Sequence, residues 1–241
     1  MLAAILTICG AVSGFAQELE GSGTADDPYL LHSPADWSVF AAKINSGEDA
    51  DKCYKLADDW SQEDSNAVTV TVGTEEHPFT GTFDGGGHTL YVNINDLSSN
   101  GVAPFREING GTVIKNLCVK GWTRGITHTA GLVGYSRGGS SERPNTIENC
   151  IVSTTVKSLN ANTNQHIGGV VGHATTSFLK LKDVVYNGYL DNNRDYIGGL
   201  VGWSDGDTLT INNCLFSGTY NIGCKVFGSI ITLFSLGFSF C

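Results

Sequence analysis

Proline and positive charge are both scarce in this chain. There are five prolines, and fourteen Lys and Arg stand against 24 Asp and Glu. The shortage of bases is uneven. Residues 17–100 hold sixteen acids and only Lys43, Lys52 and Lys55, whereas residues 101–241 hold eight acids and eleven bases. A nucleic-acid-binding chain needs a concentrated basic stripe to displace counterions, so no nucleic-acid partner is expected. Paired cysteines are also missing. Cys53, Cys118, Cys150, Cys214, Cys224 and Cys241 follow residue 16, none in a CxxC arrangement, which argues against a zinc cluster of the usual spacing. Long apolar runs are missing too. The run 2–12 and the uncharged stretch Val226–Cys241 both fall short of the ~20 residues a membrane helix needs.

The first of these runs reads as a signal peptide over residues 1–16, with Gly14-Phe-Ala16 supplying small residues at the cleavage position. A basic n-region is missing, since Leu2 follows Met1 directly, so the signal is atypical or the start is placed late. Export to the cell exterior or surface is the expectation. The apolar segment 222–241 leaves three readings open: a last coil, an anchor, or a truncated end.

Thirty-one glycines and many short Val/Ile/Thr segments point to an all-β chain. Self-comparison is more informative. Ala130-Gly-Leu-Val-Gly134, Gly168-Gly-Val-Val-Gly172 and Gly198-Gly-Leu-Val-Gly202 share one pattern. A degenerate copy precedes them at Val102-Ala-Pro-Phe-Arg106, and another stands at 222–228. Between these copies lies a second pattern: Ile114-Lys-Asn-Leu-Cys-Val119, Ile147-Glu-Asn-Cys-Ile-Val152, Leu181-Lys-Asp-Val-Val-Tyr186 and Ile211-Asn-Asn-Cys-Leu-Phe216. Their first residues are spaced by 33, 34 and 30.

The second pattern has apolar residues at positions 1, 4 and 6, so the strand alternation slips once, at the Asn or Asp. These residues tolerate left-handed backbone better than other non-glycine types and can turn the chain. Asn116, Asn149, Asp183 and Asn213 are therefore predicted to stack at one corner of successive parallel coils. Leu117, Cys150, Val184 and Cys214 would lie inside that corner. Cys150 and Cys214, two coils and about 10 Å apart, are too distant for a disulfide. Hairpin repeats would instead leave Asn-Gly turns at shorter intervals, and Asn100-Gly101 and Asn187-Gly188 are the main examples here.

Upstream, Ser33 fits a helix N-cap, Pro34 the first helical position and Gly47 the stop. Trp37, Phe40, Ala41 and Ile44 fall on one face of that helix. A β-helix has an open end that would pair with other sheets, and an amphipathic helix covering it is the physical remedy.

With the leader Gly21-Ser-Gly-Thr-Ala-Asp-Asp-Pro-Tyr-Leu30 and the segment Phe83-Asp-Gly-Gly-Gly-His-Thr-Leu90, the repeats resemble the GLUG-motif proteins, exported bacterial surface proteins such as those of gut and oral Bacteroidetes. The resemblance covers roughly residues 21–221. It implies a right-handed parallel β-helix and a secreted or surface location, often as a non-catalytic part of adhesins or of larger immunoglobulin-A-cleaving peptidases. It carries over no catalytic residues. Pro104 and Arg106 depart from the motif in the first copy. The domain reading is a signal peptide at 1–16, a leader with the capping helix at 17–78, the β-helix at 79–221 and the tail at 222–241.

Two columns of candidate contact residues flank the glycine cores. His128, His166 and Tyr196 stand three residues before each core glycine, and Tyr135, His173 and Trp203 follow each motif directly. They read as an aromatic strip for sugar faces, as a weak metal site of His128 and His166, or as a ladder that only supports the coils. No metal, cofactor or catalytic residue is assigned. The expected partner is a glycan or a host or cell-surface protein. The competing functions are a β-helix polysaccharide lyase or hydrolase, and a structural stalk. Asp183, Asp191, Asp195, Asp205 and Asp207 are the only acids after Glu148, and no pair of them recurs at one column.

Overall fold

The structure, a computed structural model, describes residues 18–60, 67–159, 166–192 and 196–222. The signal segment, Cys224, Cys241 and the tail beyond residue 222 lie outside these residues. Among the described residues every pairing between strands is parallel, with one isolated antiparallel bridge between Glu20 and Leu30. The chain is thus a parallel β-solenoid, in which each coil buries its apolar face only by lying on its neighbours.

The predicted interior column is present. Ile114, Ile147, Leu181 and Ile211 lie in direct register, the first three fully buried and Ile211 half-buried at the last described coil. The same column runs on upstream through Phe83, Tyr54 and Tyr29, so stacking begins within the leader. A second interior column runs Leu90, Val119, Val152, Tyr186 and Phe216. From Val152 onward its side chains widen to rings, and the Tyr186 and Phe216 rings stack with centroids 5.8 Å apart.

The corner also forms as its composition predicts. Asn116, Asn149, Asp183 and Asn213 take φ of 54°, 52°, 55° and 51°, the left-handed region. The Asn149 side-chain amide donates to Asn116 Oδ1 at 2.8 Å, and Asn116 donates in turn to Asp84 Oδ1 at 3.0 Å. Asn213 donates to Asp183. Inside the corner Leu117, Cys150 and Val184 are buried and Cys214 is half-buried. Cys53, Cys118, Cys150 and Cys214 are all free thiols, and burial pushes Cys150 up to about 12.

The helix spans Pro34–Asn45. The Ser33 hydroxyl accepts from the Asp36 amide, and Gly47 follows the end at φ 89°. Trp37, Phe40, Ala41 and Ile44 are buried, as their spacing predicts. Trp37 meets Phe83 and Phe105 edge-on at 5.7 and 5.5 Å, while Phe40 meets Tyr54 at 4.1 Å. The helix therefore closes the first coils with an aromatic plug. No helix among the described residues is long and apolar enough to cross a membrane.

Candidate functional site

The glycine cores are narrow turns between two strands that face each other. The first glycine of each core lies against the widening interior column: a Cβ on Gly169 would come within 2.5 Å of the Tyr186 ring. The last glycine lets backbones touch, since a Cβ on Gly172 would stand 2.6 Å from the His128 carbonyl oxygen and 2.8 Å from that of Gly134. Any larger residue at either place would force the two strands apart. With them close, side chains on the two sides of the turn meet.

Those side chains are the two predicted columns. Tyr135, His173 and Trp203 are in register, and so are His166 and Tyr196. His128 continues the second column, because Thr129 pairs with Ile167. The degenerate first copy shares the same frame: Phe105 pairs with Val133, and Glu107 stands in the Tyr135 column.

The columns do not form a flat strip. They interleave as one zipper of rings. Tyr135 lies 4.5 Å from His128, His128 4.9 Å from His173, and His173 5.1 Å from His166. His166 then stacks on Trp203 at 5.1 Å and 10°, and Trp203 meets Tyr196 at 4.8 Å. Tyr135 and His166 are each only 9% exposed, and His128, His173, Tyr196 and Trp203 are half-buried. Ring faces in this array are largely occupied by other rings, which is what a ladder supporting stacked coils requires.

Its electrostatics are specific. Burial, with the fields of His166, His173 and Arg137, pushes His128 down to about 3, so it is neutral at physiological pH. The Nδ1 atoms of His128 and His166 are 3.1 Å apart, so one ring donates and the other accepts. Burial also lowers His173, even though its Nε2 meets Asp205 Oδ1 at 3.0 Å. The other nitrogen of His173, Nδ1, is buried with no hydrogen-bond partner. A cleft of about 230 Å³ opens beside Tyr135 and is lined by Glu75, Asn100, Arg106, Glu107 and Arg137 among others. The Arg137 guanidinium covers the Tyr135 ring at 4.7 Å and pairs with the buried Glu107, so that wall offers charge rather than an open ring.

Exposed rings occur elsewhere, on the outer face of the sheet that follows the asparagine corner. Trp122 and Tyr189 are 36% and 37% exposed and occupy one register column, with Thr155 between them. At ~4.8 Å per coil they stand roughly 10 Å apart. Lys120, Arg124 and Lys157 border them, and Lys157 is paired with Asp191 on the next coil at 2.6 Å. Sequence reasoning missed this pair because the intervening coil carries Thr155, which breaks the aromatic repeat. The signal was strand alternation: Trp122 stands between the inward positions Gly121 and Thr123, and Tyr189 precedes the buried Leu190.

No family model matches the chain. Over 165 residues it is 29% identical to Halomucin of Haloquadratum walsbyi, a match covering 65% of this chain and about 2% of that much longer protein. Among solved structures it is similar to a Bacteroides ovatus protein provisionally called an immunoglobulin A1 protease. That match has a TM-score of 0.58 at 15% identity, over 86% of this chain and 71% of the other. At that identity the likeness establishes the fold, and the fold it establishes is the stacked parallel coil.

Proposed function

We propose that this chain is an exported or cell-surface, non-catalytic binding module of the GLUG type, which contacts glycans through the outer face bearing Trp122 and Tyr189. The observation that carries the reading is the pair of exposed rings in one register column, roughly 10 Å apart on a flat sheet. That spacing matches two or so pyranose units, each of which presents an apolar C–H face to an aromatic ring. Thr155 between the rings and Lys120, Arg124 and Lys157 around them supply hydroxyl and cationic partners for sugar oxygens. A flat platform of this kind suits an extended polymer better than a small molecule. An exported setting is supported by the two similar proteins, one named Halomucin and the other named for cleaving immunoglobulin A1.

The test is a glycan array followed by affinity electrophoresis on the best-retained polysaccharide, with a lyase and hydrolase assay on the same sample. Trp122→Ala and Tyr189→Ala should each weaken retention about tenfold or more, while the zipper variant Trp203→Phe leaves it unchanged. Retention that survives both outer-face substitutions would refute this surface. Depolymerisation of the bound polymer would replace the reading with the enzymatic one. A folded protein that retains no glycan would favour the stalk.

A further inference from the structure

Half of the six histidines in the chain meet at one point, and they come from two successive coils. One ligand atom from each of His128, His166 and His173 lies within 4.8 Å of the other two. The middle coil makes this possible, since it alone among the three glycine-core repeats has histidine in both ring columns. His128 from the preceding coil completes the set.

Three features of the cluster point to an ion. The first is spacing. A tetrahedral ion with ~2.0–2.1 Å bonds to nitrogen holds two ligand atoms ~3.3 Å apart, and the Nδ1 atoms of His128 and His166 stand at 3.1 Å. The third ring must approach by at most about 1.5 Å, which rotation of one side chain supplies. The second is the orientation of His173. Its Nε2 faces the Asp205 carboxylate at 3.0 Å, and that contact fixes the proton on Nε2. Nδ1 is left as a bare lone pair, buried and without a hydrogen-bond partner. A buried acceptor with nothing to accept is costly, and an ion is one of the few things that satisfies it. A carboxylate behind a ligating imidazole is also the usual outer-shell arrangement at zinc sites. The third feature is the donor set. Three imidazoles with no carboxylate or carbonyl among them suit zinc, copper or nickel, and disfavour calcium and magnesium.

We propose that His128, His166 and His173 form a three-imidazole site for a divalent first-row transition ion, zinc in the first instance, with Asp205 as the residue that positions His173. Water completes the coordination. The ion joins two neighbouring coils at a place where the glycine cores let their backbones touch. When it binds, whichever of His128 and His166 carries its proton on Nδ1 shifts it to Nε2, so both lone pairs face the metal and no proton is released. The site is separate from the outer face bearing Trp122 and Tyr189, so neither proposal depends on the other.

The experiment uses the full chain without a histidine tag, stripped with a chelator and titrated with Zn²⁺ by calorimetry and with Co²⁺ by visible absorption. One ion per chain is expected. His166→Asn and His173→Asn should each weaken binding at least a hundredfold, and Asp205→Asn about 10–100-fold together with a change in the Co²⁺ spectrum. His77→Asn, outside the cluster, should leave affinity unchanged. Asp205 is half exposed on its side chain, so its variant tests the site even where a histidine variant fails to fold. Absence of saturable binding overturns the proposal. So does binding that is indifferent to the His173 and Asp205 substitutions.

Discussion

Replacing Asn149 separates the two jobs of the corner residue. Asn149 sits at φ 52° on an exposed corner, and its amide donates to Asn116 Oδ1 at 2.8 Å. In Asn149→Leu the backbone must hold a left-handed conformation without a side chain that favours it, at ~1–2 kcal/mol. The lost hydrogen bond adds ~0.5–1 kcal/mol, at the low end because water reaches the corner. The total is about 1.5–3 kcal/mol. For a domain of this size each kcal/mol moves the thermal midpoint by roughly 2–4 °C, so the expected drop is about 3–12 °C. Asn149→Gly adopts the same φ freely and loses the hydrogen bond alone, about 0.5–1 kcal/mol. Differential scanning calorimetry of the three proteins therefore gives a fixed order: wild type, then Gly, then Leu. A Leu variant as stable as the Gly variant would show that the corner imposes no backbone constraint, and the account of the repeat would fail.

Two further expectations concern the zipper and the plug. In metal-free protein, His128 lies at about 3 when folded against an ordinary value of 6.5, so the unfolded state binds the extra proton between these values. Stability from this group is complete above pH 6.5 and is lost as the pH falls toward 3, by up to ~1.4 kcal/mol per pH unit. Urea midpoints measured across that window should fall less steeply for His128→Asn than for wild type, and equal slopes would contradict the burial of this ring. Trp37→Ala removes a fully buried ring from the aromatic plug and should cost ~3–5 kcal/mol by chemical denaturation. A loss below ~1 kcal/mol would mean that the helix is not part of the core.

The stack was legible where a physical constraint recurs at the coil period. A left-handed corner narrows residue choice to Asn, Asp and Gly, and an interior column favours apolar side chains, so both wrote themselves into the chain at 30–34-residue intervals. The helix was legible because a cap, a proline and a stop glycine each carry local meaning. The leader's two rungs were not, because Tyr29–Leu31 and Cys53–Leu56 are too short to show alternation and have no corner residue after them. The alignment of the ring columns followed from the repeat. Their interleaving did not, since it depends on how closely two strands approach across Gly134, Gly172 and Gly202. Nor could Asp205 be matched to His173 from spacing, because one lies on a strand and the other in the turn of the next coil.

The unequal coil lengths carry a consequence of their own. Successive corners are 33, 34 and 30 residues apart, yet the rungs on either side of each corner stay in register. Insertions and deletions are therefore absorbed in the loops and never reach the frame. The asparagine corner acts as a phase marker that resets the count once per turn. A solenoid built this way can gain, lose or exchange whole turns by recombination, each adding ~4.8 Å of outer face and leaving the turns around it unaltered. Its outer surface can thus lengthen or change in whole units while the core stays as it is.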